Sequence, residues 1–166
     1  MLHLLYARFW HKVLFDLGVS SPQLDDSVRG FSFMQDGPLD MRMDRSKGEP
    51  ASALLNRVSP AEIEQMLFDC GDERWARMIA RKIVERRREK PLTRTGDLVE
   101  AVLAAIPPAA RDKRIHPATR TFQAIRIVVN GELEGLDEAL RDAVASLNPK
   151  GVLAVLSYHS GEDRAV

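Results

Sequence analysis

Asp16 closes a short apolar run, Val13, Leu14 and Phe15, and is followed at once by a stretch dense in turn residues. The β-branched and aromatic bias of that run predicts a buried strand, and Gly18, Ser20 and Ser21 supply the break where it ends. In open parallel α/β sheets, ligands bind just beyond the carboxyl ends of the strands, which makes Asp16 a first candidate for chemistry. A second apolar run, residues 152–156, predicts another buried strand, and residues 157–164 emerge at its carboxyl end. Ser157, Tyr158 and His159 then come near Asp16 if the two strands are neighbours.

Other chemistries fit less well. Ser20 or Ser21 with His159 and Asp163 has the composition of a hydrolase triad, but no Gly-x-Ser-x-Gly elbow surrounds either serine. His3, His11, His116, His159 and Cys70 show no metal-ligand spacing, so no metal is expected. The loop after Asp16 runs to Asp44 and carries Phe31, Phe33, Met34, Met41 and Met43, too apolar for an ordinary solvated loop. These side chains either pack on the domain or line a pocket for a flat ligand, and on the residues alone packing is favoured.

The elements that must position these residues are mostly helical. Residues 50–57 predict a short helix. Ser59-Pro60-Ala61-Glu62 is a start signal, with Ser as N-cap, Pro in the first turn and Glu completing a capping box. Ile63, Met66, Leu67 and Cys70 follow at helical spacing, and Gly71 can end that helix. A further helix over residues 72–89 puts Trp75, Met78, Ile79 and Ile83 on one side, with Arg74, Arg77, Arg81 and Arg88 largely elsewhere. Thr95 can cap another, striped by Leu98, Val102, Leu103 and Ile106 and stopped by Pro107-Pro108. From Pro117, apolar residues recur at steps of three or four as far as Leu147, and Gly131 and Gly135 predict a bend or break inside that run. Residues 148–151 read as a turn.

The 166 residues suffice for one domain with a sizeable core, or a core plus a subdomain. Formal charge is zero, yet the signs are unevenly spread. Residues 72–94 hold nine Lys/Arg against four Asp/Glu, and residues 132–142 hold five acids against one Arg. A neutral total therefore does not exclude RNA. The single Cys70 fits a reducing cytoplasm, and no apolar run approaches the roughly 18 residues of a membrane span.

Several long words extend the reading. DLGVSSPQLDD from Asp16, RGFSF, DGPLDMRMD, the stretch 78–86, PLTRT at 91–95, HPATRTFQAIRI at 116–127, VN-x-EL at 129–133 and SYHSGEDR at 157–164 stand in unbroken order. Together they closely resemble the bacterial N4-cytosine methyltransferases of small-subunit ribosomal RNA, called RsmH or MraW. Long words in the right order are far more specific than a lone glycine motif.

The resemblance implies an α/β fold: a partial class I (Rossmann-like) S-adenosylmethionine-dependent methyltransferase domain, residues 1–49 and 113–166, with an inserted all-helical subdomain, residues 50–112. It implies methyl transfer from S-adenosylmethionine to the N4 exocyclic amine of a cytidine in 16S ribosomal RNA, with the RNA or the small ribosomal subunit as partner and the cytoplasm as compartment. Asp16 and Gln23 match its cofactor-contacting positions. Asp16, Ser157 and His159 are its candidates for orienting the amine or receiving its proton. Arg77, Arg81, Arg86, Arg87, Arg88, Arg120 and Arg126 are candidates for RNA phosphate. The family's opening strand and Gly-rich cofactor loop have no counterpart in residues 1–12, and the sequence stops at Ala165-Val166 where relatives continue into a helix and closing strands, so a chain truncated at both ends is expected. A noncatalytic RNA- or protein-binding fragment is the alternative.

Overall fold

The computed structural model describes residues 26–155 and 163–164. They fall into two compact units, residues 26–130 and the described residues from 131 onward. The first is helical: α1 (Ala51–Arg57), α2 (Pro60–Gly71), α3 (Ala76–Glu89), α4 (Thr95–Ala105) and α5 (Thr119–Asn130). α2 packs on both α3 and α5, α3 also receives α4, and α1 touches α3 and α5. Leu55, Ile63, Leu67, Ile79, Ile83, Leu98 and Ile125 are fully buried where these helices meet. Each such side chain contributes about 1.5–3 kcal/mol of burial free energy.

Local signals account for most of the helix ends. The Ser59 hydroxyl accepts the Glu62 amide at 3.3 Å while the Glu62 carboxylate accepts the Ser59 amide at 2.8 Å, so the expected capping box is formed. α2 stops at Gly71, with Asp72 in the left-handed region (φ 44°) as its cap. The helix expected over 72–89 starts later, at Ala76. Asp72 reverses the chain, the buried Glu73 gives its backbone amide to the Leu67 carbonyl, and its carboxylate accepts the Trp75 amide at 3.0 Å, which makes a tight turn of residues 72–75. Thr95 is likewise the first residue of α4 rather than its cap. The Asp97 carboxylate takes the capping role, accepting the amides of Thr93 (3.0 Å) and Arg94 (2.9 Å).

Residues 26–49 are built into this unit. Phe31, Leu39 and Met41 belong to its buried core, and Phe33 and Met43 pack against it, whereas Met34, 80% exposed, and Val28, 52% exposed, stand out. Packing thus explains most of the loop's apolar content. Buried backbone must find partners. Here the Leu39 amide donates to the Thr93 carbonyl (2.9 Å), the Thr95 amide to the Gly37 carbonyl (2.9 Å) and the Gly37 amide to the Thr95 hydroxyl (3.0 Å), around an antiparallel bridge between Pro38 and Arg94. The Asn130 side chain holds the far end, accepting the Met43 amide at 2.6 Å and donating to the Met41 carbonyl at 2.7 Å.

The second unit is smaller. α6 (Leu136–Ala145) begins after Gly135, and Gly131 and Gly135 both have positive φ, so the long apolar periodicity is broken between α5 and α6 where the glycines predict. The turn at 148–151 closes with the Gly151 amide on the Asn148 carbonyl at 2.8 Å. The expected α/β layering is not seen among the described residues. Residues 13–15 lie outside them, and residues 152–155, expected to open the second strand, are not in a strand; Val152 is 85% exposed. A strand is defined by its ladder, and no described residue pairs with this run. No described helix is long and apolar enough to cross a membrane.

Gly37 marks how closely the loop is seated: a Cβ there would lie 1.9 Å from the Ser27 carbonyl oxygen. Replacing Gly37 by Ala is expected to lower stability by about 2 kcal/mol or more, because backbone and not a flexible side chain must give way. Denaturant titration of the two proteins checks this, and an unchanged midpoint would contradict it.

Candidate nucleic-acid interface

Asp16, Gln23, Ser157 and His159 lie outside the described residues, so the geometry that can be built is that of the cations. α3 turns its apolar side, Ala76, Ile79, Ala80, Ile83 and Val84, into the core. At 100° per residue, Arg77, Arg81 and Arg88 then fall within one narrow stripe, about 40° wide, that flanks the apolar side next to Val84. All three are exposed. Arg77 and Arg88 have no ion-pair or hydrogen-bond partner among the described residues, and Arg81 pairs with Glu85 at 3.0 Å. Hydrogen bonds from Lys82 and then Arg81 hold the Glu85 carboxyl below its ordinary range.

The remaining cations of α3 are used differently. Arg86 bridges to α4, bonding Glu100 and lying 3.7 Å from Asp97. Arg87 turns inward and donates to the carbonyls of Leu55 and Val58, the latter at 2.7 Å. It thereby satisfies the C-terminal end of α1, where unpaired carbonyls accumulate. Arg120, exposed near the start of α5, donates to the Asp72 carbonyl at 3.1 Å and so ties α5 to the cap of α2. Arg126 is half-buried on α5, with its own carbonyl accepting the Asn130 side chain at 2.9 Å. The seven arginines therefore do not form one continuous surface: Arg77, Arg81 and Arg88 present charge together, while Arg86, Arg87 and Arg120 also bind the helices to one another.

Sequence reasoning passed over a second exposed basic segment. Lys113 and Arg114 follow the short 3-10 turn Pro108–Ala110 and precede His116, and the Arg114 side chain is 89% exposed, 3.5 Å from Asp112. The signal was there to read, two adjacent cations beside an imidazole just after a Pro-Pro stop. Nearby, Arg74 donates to the Ala110 carbonyl at 3.0 Å and lies over the Trp75 ring, 5.8 Å from its centroid. Arg111 is inward-facing and holds the end of α4 through the carbonyls of Leu103 (2.7 Å) and Ile106 (3.1 Å).

The loop that carries the longest words has its own charge network. Asp40, largely buried, takes a two-point bond from Arg42 (2.7 and 3.2 Å) and lies 3.2 Å from Arg45. Desolvation pushes its pKa up, and the bonds and charge of Arg42 outweigh that, leaving the carboxyl below its ordinary range. Asp36 is lowered by its bond to Arg94 and by the Gly96 amide at 3.0 Å. Among the described residues, Arg29 Nε, Trp75 Nε1 and Thr121 Oγ1 are the buried polar side-chain atoms without a hydrogen bond. They are two nitrogens and a hydroxyl in the helical unit, with no carboxylate for a ribose or an amine, and do not by themselves compose a nucleoside cofactor site.

The contrast between neighbours is testable. Arg87→Ala is expected to cost about 1.5–3 kcal/mol of stability, since two carbonyls lose a charged donor, while Arg88→Ala leaves the melting temperature unchanged. Thermal unfolding of both variants measures this; equal melting points would contradict the structural role of Arg87.

The model of the MraW methylase family matches residues 7–166, nearly the whole chain, and so begins ahead of Val13, where the resemblance is expected to start. The chain belongs to the MraW methylase family.

Proposed function

We propose that the chain takes part in S-adenosylmethionine-dependent methylation of the N4 amine of a cytidine in 16S ribosomal RNA. Family membership carries this reading, supported by the long words around Asp16, Pro91 and His116. In the proposal, a Rossmann-like core is supplied by chain on either side in sequence of the helical unit, which takes in residues 26–49 and 113–130 beside the expected insertion 50–112, and the compartment is the cytoplasm. Asp16 and Gln23 are the residues that would hold the cofactor, which when bound supplies the methyl electrophile.

The exocyclic amine of cytosine is a poor nucleophile because its lone pair is delocalised into the ring. Acceptors that draw its hydrogens localise that pair, and fixing the nitrogen on line with the methyl carbon lowers the entropic part of the barrier. Asp16, Ser157 and His159 are the groups proposed for this orientation and for the departing proton. The RNA partner is gripped by the outward stripe of α3: Arg77, Arg81 and Arg88 would take phosphates, each neutralised phosphate releasing counterions. Arg86, Arg87 and Arg120 would act mainly by holding the helices together, and Arg126 is kept as a further candidate for phosphate.

Transfer of label from S-adenosylmethionine to small-subunit RNA or particles tests the proposal. Asp16→Ala is expected to abolish transfer with RNA affinity nearly intact. Arg77→Ala with Arg88→Ala is expected to weaken RNA binding and to flatten its log–log salt slope by about one to two. RNA binding without any transfer would favour the noncatalytic RNA-binding reading, and neither binding nor transfer would sink the proposal.

A further inference from the structure

Three rings step outward from the core of the 26–130 unit. Phe122 is buried on α5. Phe33, half-buried, meets it edge to face with centroids 5.4 Å apart and planes at 78°. His116 then lies flat on Phe33, with centroids 4.5 Å apart and planes at 17°. Its orientation is pinned, because its Nδ1 accepts the Ala118 amide at 3.2 Å. His116 is exposed, so with one face of the imidazole on Phe33 the other is open to a further ring.

What surrounds that open face selects the partner. Residues 111–120 hold four Arg/Lys against the single acid Asp112. Lys113 is exposed and has no partner among the described residues, and Arg114 projects almost wholly into solvent. Ile115, 47% exposed, and Met34 beside Phe33 add apolar surface. Aromatic and apolar faces interleaved with cations suit an unpaired nucleic-acid strand, whose bases stack while its phosphates pair with charge. A folded acidic protein would use the cations and leave the stacked imidazole without a purpose.

We propose that the outer face of His116 is a stacking step for an unpaired base of the bound RNA, with Lys113 and Arg114 taking the adjoining phosphates. The inference rests on the RNA reading above and locates a contact for it outside the basic stripe of α3. His116 acts here as a binding residue for a base other than the one that reacts, and Phe33 as the positioning residue beneath it.

The test uses the full chain and a single-stranded RNA carrying 2-aminopurine, whose fluorescence falls when it stacks. Binding by the unaltered chain is expected to quench it; His116→Ala should weaken affinity roughly 10-fold and remove the quench, while His116→Phe keeps both within about 2-fold. Should His116→Ala fail to fold, the unaltered chain still decides the matter, because RNA is expected to protect His116 from acylation by diethylpyrocarbonate, read by mass spectrometry. Undiminished affinity in a folded His116→Ala, or acylation of His116 unaffected by saturating RNA, overturns the stacking step. If RNA binds with a steep salt dependence and His116 is indifferent, the stacking step alone falls. If the unaltered chain binds no RNA, the stacking step and the RNA reading fall together.

Discussion

Gly37, Leu39 and Met41 are buried, and buried amides and carbonyls must be paired. That requirement is met from far along the chain: Thr95 reaches Gly37 across 58 positions and Asn130 reaches Met43 and Met41 across 87 and 89. Each of these bonds closes a long loop, and the helices α1 to α5 lie inside those loops. Met41 shows how firmly the arrangement is held. It is fully buried and has φ 62°, a conformation unfavourable for a side chain of its kind, yet its amide is taken by the Arg29 carbonyl and its carbonyl by Asn130. Asn56 does a similar service between α1 and the strand-like segment before α4, exchanging two bonds with the backbone of Leu92 at 2.8 and 3.0 Å.

What could be read from the chain itself was whatever is decided locally. The Ser59–Glu62 capping box, the stop at Gly71, the break at Gly131 and Gly135 and most of the apolar stripes of the helices are short-range matters that the structure carries, though Met78 and Val144 of those stripes are exposed. Features that depend on distant partners were illegible. Nothing near Asn130 announces that its amide will substitute for a backbone pair with Met41 and Met43. Thr95 looks like a cap from its neighbours, but its hydroxyl is drawn to Gly37 and Asp97 caps in its place. Residues 72–75 have helical composition, and it is the burial of Glu73 that turns them aside. The apolar run at 152–155 reads as a strand, a state that exists only with a pairing partner.

The candidate site divides in the same way. Charge was legible as composition, since the excess of arginine over residues 72–94 stands in the sequence. Which arginines face outward was not, because Arg87 and Arg88 are adjacent and differ only in what α3 turns toward the end of α1. Arg77 and Arg88 offer charge to a partner, whereas Arg87 is spent on the carbonyls of Leu55 and Val58. A run of like residues thus separates into one group that builds the helical body and another that the body displays. The ladder from Phe122 through Phe33 to His116 joins words far apart in sequence, and only folding brings them into one stack.

The central claim is that residues 37–43 are a structural part of the helical unit rather than a loop resting on it, and native-state hydrogen exchange measures this most directly. The amides of Gly37, Leu39, Met41, Met43 and Thr95 should exchange only through the same global opening that exposes buried helical amides such as Leu67 and Ile79, with the same dependence on denaturant. Exchange of the loop amides through local openings of low free energy, while α2 and α3 stay protected, would contradict it.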